Sequence, residues 1–210
     1  MKVLKLYFTL LLLYPFIAFQ GAHEKMEPLK IGDSAPLQEH LMRSTENEKL
    51  SLKNLMGDQG LVVVFSCNTC PFVIGGENFA GWEKDYNDLA EIANRNGLNF
   101  VLINSNEAKR SKGDGLKDMK KRKDEKNYSM KYLLDKNHEL ADAFGAKTTP
   151  HIFLFDNDFK LAYEGAIDNS WNPSEKVKET YLSDAIEAVG SGSKILNPKT
   201  APKGCSIKRK

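Results

Sequence analysis

The chain has 210 residues, 28% of them charged and 41% hydrophobic, with a formal net charge of +2. That balance fits an ordinary globular protein of one domain with appendages, and without any nucleic-acid-binding motif it gives no reason to expect a nucleic-acid partner. The charge is unevenly spread: residues 191–210 carry Lys194, Lys199, Lys203, Lys208, Arg209 and Lys210 and no acid, so the body of the chain is acidic. A solvated, flexible tail over 191–210 is expected, with contact to anionic lipid or an acidic partner as the alternative.

At the amino terminus, residues 6–19 are uncharged and follow Lys2 and Lys5. They are shorter than the roughly 20 residues of a comfortable membrane span, so residues 1–21 read as a secretory signal peptide. Ala18-Phe-Gln20 and Gly21-Ala22 are both imperfect cleavage sites, which keeps an uncleaved membrane anchor open. Either reading exports the protein to a periplasmic or other extracytoplasmic compartment. Residues 22–36 are a polar linker leading into a domain expected over 28–190.

Leu61-Val-Val-Val-Phe65, bounded by Gly60, reads as a strand buried on both faces. One serine later comes Cys67-Asn-Thr-Cys70-Pro71, placing two cysteines where a strand gives way to a helix. Pro71 suits a first helical turn, where its missing N–H leaves no bond unmade. Unpaired N–H groups at a helix start stabilise a thiolate, so Cys67 is expected to have a lowered pKa and Cys70 to attack back across the loop. Such a strand-CxxC-Pro-helix unit points to dithiol–disulfide exchange. Two other readings stand beside it. Half of a zinc site needs a second ligand pair, and only Cys205 and four histidines remain; no metal is expected. A fixed structural disulfide would close too small a loop to gain much chain entropy.

Phe79, Trp82, Tyr86, Leu89 and Ile92-Ala93 recur at helical spacing, with a kink expected where Gly75-Gly76 and Gly81 interrupt. Gly97 ends that helix, and Leu98–Ile103 reads as a strand parallel to the first. Residues 109–126 hold nine basic and four acidic side chains, a polar helical insertion on the surface. Tyr132–Asp135 is a short strand and Asn137–Phe144 a helix with His138 exposed near its start. After Thr148-Thr149-Pro150, two strands around Asp156-Asn157-Asp158 form a hairpin. A closing helix is expected over 174–189, with Val177, Tyr181, Ala185, Ile186 and Val189 on one face. Trp171 either borders a substrate groove or packs on the sheet, and Glu77 and Glu83 are expected on the solvated surface.

A β-α-β unit with CxxC at its first turn, followed by a β-β-α unit opened by Thr149-Pro150, resembles the α/β thioredoxin fold: a central mixed sheet flanked by helices, here with a polar helical insertion and an N-terminal extension. The resemblance implies that the Thr149–Pro150 peptide is cis, lies against the disulfide, and offers backbone to an extended substrate. Within the superfamily, Ile31-Gly-Asp-Ser-Ala-Pro36, Phe65–Val73, Ile103-Asn-Ser-Asn106 and Gly204-Cys-Ser-Ile-Lys208 are similar to the redoxin, peroxiredoxin-like (AhpC/TSA-type) subgroup. A peroxiredoxin pocket would show Pro-x-x-x-Thr-x-x-Cys. Aligned on Cys70 those positions are Val63 and Cys67, and aligned on Cys67 they are Gly60 and Val64.

The expected activity is therefore thiol–disulfide exchange with a disulfide-containing protein or small thiol, using a separate electron donor or acceptor. No cofactor is expected beyond a redox-active Cys67–Cys70 disulfide. Cys67 would be the exposed nucleophile and Cys70 the resolving thiol; Asn68, Thr69 and Pro71 would tune the pair, the first two by hydrogen bonds to the thiolate. Cys205 is either a third redox thiol or a free thiol on a mobile tail. A thiol peroxidase and a non-catalytic binding module are the alternatives.

Overall fold

The computed structural model describes residues 28–174 and 176–210. The expected signal peptide or anchor lies outside them; among the described residues no helix is long and apolar enough to cross a membrane. The strands are β1 (Met42–Ser44), β2 (Lys49–Leu50), β3 (Gly60–Ser66), β4 (Leu98–Asn104), β5 (Lys131–Leu134), β6 (Thr148–Thr149), β7 (His151–Asp156), β8 (Leu161–Gly165) and β9 (Cys205–Ser206). The helices are α1 (Leu52–Leu55), α2 (Pro71–Ile74), α3 (Tyr86–Arg95), α4 (Leu116–Lys126), α5 (Glu139–Phe144) and α6 (Tyr181–Ser191).

A seven-stranded mixed sheet runs in the order β2-β1-β5-β4-β3-β7-β8. Strand β3 is central, parallel to β4 and antiparallel to β7. Every residue of β3 is buried, because alternate side chains meet different layers. Val62 and Val64 face the side covered by Tyr86, Ala90 and Ala93 of α3 and Leu182, Ala185 and Ile186 of α6. Leu61, Val63 and Phe65 face Leu52 of α1 and Leu140 and Phe144 of α5. On that second side Phe144 meets Phe65, Phe153 and Phe155 edge-on at centroid distances of 5.5, 5.1 and 5.4 Å. This two-sided packing fixes the carboxyl end of β3, from which the cysteine loop emerges.

The expected kink after the cysteines is a full break. Helix α2 is one turn, and the chain resumes as a 3-10 turn (Trp82–Asp85) leading into α3. Gly81 has φ +72° and lies against Gly75: a Cβ there would stand 2.3 Å from the Gly75 nitrogen. The backbone can fold back this tightly only without a side chain. Trp82 is then buried, its indole N–H donating to Asp168 at 2.9 Å. Asp168→Ala would leave that N–H without its partner, so we expect a loss of about 1–3 kcal/mol, read as a lower urea midpoint with unchanged slope.

Three expectations are corrected. The last helix begins at Tyr181 rather than residue 174, because Val177 reaches no core and stays 47% exposed. The preceding strand of chain is held instead by Asn169, which accepts from the Lys178 and Glu179 N–H groups at 3.0 and 3.2 Å. Glu83 is not on the solvated surface. It is 7% exposed and is gripped by the Arg122 guanidinium and the Tyr128 hydroxyl.

The third correction concerns residues 191–210, which are docked rather than flexible along their second half. Thr200 N–H donates to the Glu164 carbonyl at 2.9 Å, and its hydroxyl accepts from Ala166 N–H at 3.0 Å. Lys199 pairs with the buried Glu164 carboxylate at 2.6 Å, a carboxylate that also lies 3.3 Å from the His151 ring. Ile207 is 5% exposed and its N–H donates to the Lys147 carbonyl at 3.0 Å. Arg209 binds Asp142 at 2.7 Å and the Ala146 carbonyl at 2.7 Å. Lys199 and Arg209 thus have acidic partners on the domain, and one isoleucine anchors the end.

Candidate active site

The cysteine loop leaves β3 and enters α2 with Cys70 as its N-cap and Pro71 at the first helical position, as the sequence implies. Both sulfurs meet Thr149. The Cys67 sulfur lies 3.2 Å from the Thr149 hydroxyl, and the Cys70 thiol donates to the Thr149 carbonyl at 3.1 Å. The Thr149–Pro150 peptide is cis. The two cysteines and the two loop residues named from sequence are therefore one cluster.

The edge of that loop is already occupied. Strand β9 pairs antiparallel with β6, Thr149 opposite Cys205 and Thr148 opposite Ser206. This covers the thiols: Cys67 is 2% exposed and Cys70 3%, so the expectation of an exposed Cys67 is not met. Cys205, half-buried, is the most accessible of the three free cysteines. Cys70 interacts with Cys67 on the one hand and with Cys205 on the other, so the interactions run in the order Cys67, Cys70, Cys205.

That order decides the charge. Hydrogen bonding from Cys67, with further donors at Cys205 and Thr149, outweighs burial and pulls the Cys70 pKa down to about 5. Cys67 moves the other way, pushed well above the usual thiol range by burial, by its bond to Cys70 and by the charge of Asp114. Cys205 is raised to about 11 by burial and by Cys70, against the opposing pull of Lys208 and the Phe72 N–H. The neutral Cys70 thiol donates to Thr149; as a thiolate it accepts from the S–H groups on either side. The lowered thiol is thus the second cysteine rather than the first, because burial, Cys70 and Asp114 all act against a charge on Cys67.

The Asn68 N–H beside Cys67 points to Asp114, a residue that sequence reasoning missed. Asp114 is fully buried and accepts from Asn68 N–H at 2.7 Å, the Thr69 hydroxyl at 2.7 Å, the Asn104 amide at 2.9 Å and the Asn106 amide at 3.0 Å. The Asn68 amide also donates to the Gly113 carbonyl at 2.8 Å and accepts from the Tyr132 hydroxyl at 3.0 Å. Arg110 closes the network through Asn104 at 2.7 Å and the Asp114 carbonyl at 2.9 Å. Asn68 and Thr69 therefore do not reach a sulfur, contrary to expectation; they clamp the loop to a buried carboxylate. The signal that pointed nearby was the run Ile103-Asn-Ser-Asn106, whose asparagines form the other half of this clamp.

Trp171 packs neither on the sheet nor alone in solvent but against α2 and the loop after it. It packs on Phe72 and Phe79 at 5.8 and 6.0 Å, and Lys203 lies over its outer face at 5.1 Å, on the path of the tail into the site. No cluster of three or more potential metal-ligating side chains with metal-holding geometry occurs among the described residues.

A mixed sheet flanked by helices, with a cysteine loop at the end of the central strand and a proline loop facing it, defines the α/β thioredoxin fold. The sequence matches the AhpC/TSA family over residues 31–164, more than half of the chain, and the protein belongs to that family of thioredoxin-fold redox proteins. An uncharacterised conserved protein from Geobacillus kaustophilus is similar at 31% identity and TM-score 0.77, over 86% of this chain and 93% of that one. A hypothetical protein from Sinorhizobium meliloti is similar at 26% identity and TM-score 0.74, over 88% and 97%. A peroxidoxin from Mycobacterium tuberculosis shares the fold at 16% identity and TM-score 0.53, over 78% and 97%. No curated protein matches the sequence.

Proposed function

We propose that this protein is a thiol–disulfide oxidoreductase in which Cys67 and Cys70 interconvert between dithiol and disulfide. The observation that carries the reading is the pair itself: two thiols on a clamped loop, both touching Thr149, with one sulfur favoured as the anion. A thiolate is the nucleophile of disulfide exchange, and a neighbouring S–H that reprotonates the leaving sulfur completes the step. Formation of the Cys67–Cys70 disulfide releases two electrons to a disulfide of a protein or small thiol. A separate donor, or an acceptor if the enzyme makes disulfides, resets the pair. An exported location is part of the proposal, since a dithiol there works only with such a partner. Cys70 rather than Cys67 is the sulfur proposed to attack.

The peroxidase alternative retains one favourable observation, the lowered Cys70 thiol beside Pro71. Against it, Val63 and Cys67 occupy the positions of the pocket proline and threonine. The test is equilibration of the purified protein in glutathione or dithiothreitol buffers, followed by acid quenching and mass-shift alkylation. A reversible two-electron couple assigned to Cys67 and Cys70 is expected. Absence of any reversible couple would sink the proposal, and peroxide consumption far faster than that of free cysteine would replace it with the peroxidase.

A further inference from the structure

Strand β9 stands where the proline loop would receive an extended substrate, and it brings a cysteine. The backbone pairs Cys205 with Thr149, the residue whose carbonyl and hydroxyl touch both buried sulfurs. The fit is tight: a Cβ on Gly204 would stand 2.3 Å from the Thr149 carbonyl oxygen. Beyond it, Lys208 N–H donates to Asn106 at 2.8 Å, and Asn106 in turn binds Asp114 at 3.0 Å. The clamp that holds the cysteine loop therefore also holds the tail.

We propose that Cys205 is a third catalytic thiol that exchanges disulfides with outside partners and passes them to Cys70, so that the C-terminal strand acts as a built-in substrate. The inference rests on the oxidoreductase reading. Three observations carry it. Cys67 and Cys70 are buried beneath the strand, whereas Cys205 is half-exposed. All three cysteines converge on Thr149: the Cys67 sulfur lies 3.2 Å from its hydroxyl, the Cys70 thiol donates to its carbonyl at 3.1 Å, and Cys205 is its β-pairing partner. The strand's register sets Cys205 opposite Thr149 without any rearrangement of the loop.

The steps balance. The Cys205 thiolate attacks an outside disulfide, forming a mixed disulfide and releasing one outside thiolate, which takes up a proton. The Cys70 thiolate attacks the Cys205 sulfur, forming Cys70–Cys205 and releasing the second outside group as a thiolate, which takes up a proton from solvent. Cys67 then attacks the Cys70 sulfur and its proton passes to Cys205, leaving the Cys67–Cys70 disulfide and a regenerated Cys205 thiol. The outside disulfide gains two electrons and the buried pair loses them. In the oxidised enzyme Cys70 carries no charge, which removes its charge repulsion as a cause that raises Cys205, while Lys208 still favours its thiolate for the reverse direction.

Two measurements on the full chain test this. Cys67→Ser, treated with stoichiometric glutathione disulfide, acid-quenched and peptide-mapped, should accumulate an intramolecular Cys70–Cys205 disulfide. In single turnover with the same oxidant, Cys205→Ala should oxidise its Cys67–Cys70 pair at least about tenfold more slowly than wild type, because the intramolecular relay is lost. If Cys205→Ala oxidises as fast as wild type or faster, the strand is a cover and the relay is wrong, whether or not Cys67→Ser folds. If wild type itself shows no reversible Cys67–Cys70 couple, the oxidoreductase reading fails and the relay goes with it; a reversible couple with an unimpaired Cys205→Ala overturns the relay alone.

Discussion

The reduction potential of the cysteine pair will change by about 30 mV per pH unit between roughly pH 6 and 8, half the slope of a couple that takes up two protons. A dithiol with both thiols protonated consumes two electrons and two protons on reduction. With Cys70 held near 5 and Cys67 raised well above the usual range, reduction at neutral pH leaves one thiol and one thiolate and consumes a single proton. Each proton contributes about 30 mV per pH unit to a two-electron couple, so the count is read directly from the slope. Glutathione-buffer titrations at several pH values would give it. A slope of about 60 mV would mean that both thiols are protonated and that the hydrogen bonds around Cys70 do not select an anion.

The same charge links redox state to stability. The folded pKa of Cys70 is depressed below its ordinary value of 9.0 to about 5. Between those values the unfolded chain binds a proton that the folded, reduced chain does not, so folding becomes more favourable as pH rises, by up to about 1.4 kcal/mol per unit. That contribution is complete above the unfolded pKa and disappears as pH falls through the folded one. Cys67 and Cys205 are shifted upward and act in the opposite sense only above about pH 9, where an unfolded thiol ionises. Chemical denaturation at pH 6 and 8 should therefore show the reduced protein gaining on the oxidised one with pH. A constant difference would place the thiolate elsewhere.

The local parts of this site were legible in the sequence, and the long-range parts were not. An apolar run, one serine, CxxC and proline determine a strand, a loop and a helix start within a dozen residues, and the structure has them there. Resemblance supplied Thr149 and Pro150. Asp114 carried no such mark: it lies in a stretch of nine basic and four acidic residues, and the glycines on either side of it, Gly113 and Gly115, suggest a turn but not a buried carboxylate. Only the fold turns its carboxylate inward to meet Asn68 and Asn104. The tail failed for a related reason. Six cations without an acid read as solvated, but Glu164 and Asp142, the partners of Lys199 and Arg209, lie far back in the chain, and a two-residue strand has no pattern of its own. The expectation of a thiolate at Cys67 followed the helix terminus alone, whereas burial, Cys70 and Asp114 push that thiol upward.

Gly204→Val is expected to raise the rate at which a small alkylating reagent reaches Cys67 and Cys70 by about tenfold or more, with a modest loss of global stability of about 1–3 kcal/mol. The atoms that a Cβ would strike are backbone: the Thr149 carbonyl oxygen at 2.3 Å, its carbon at 2.7 Å and the Pro150 nitrogen at 3.1 Å. None can swing aside as a side chain could, so the strand has to lift. Protection of a buried thiol falls tenfold for each 1.4 kcal/mol by which local opening becomes easier, and β9 has few bonds to lose before Ile207 and Arg209 take the strain. Unchanged alkylation would mean that something other than the tail hides the pair. The informative comparison is with turnover. If Cys205 carries disulfides inward, displacing it makes the buried thiols more reactive toward reagents and slower toward a disulfide substrate, and these opposite movements are what a simple lid, which would quicken both, does not produce.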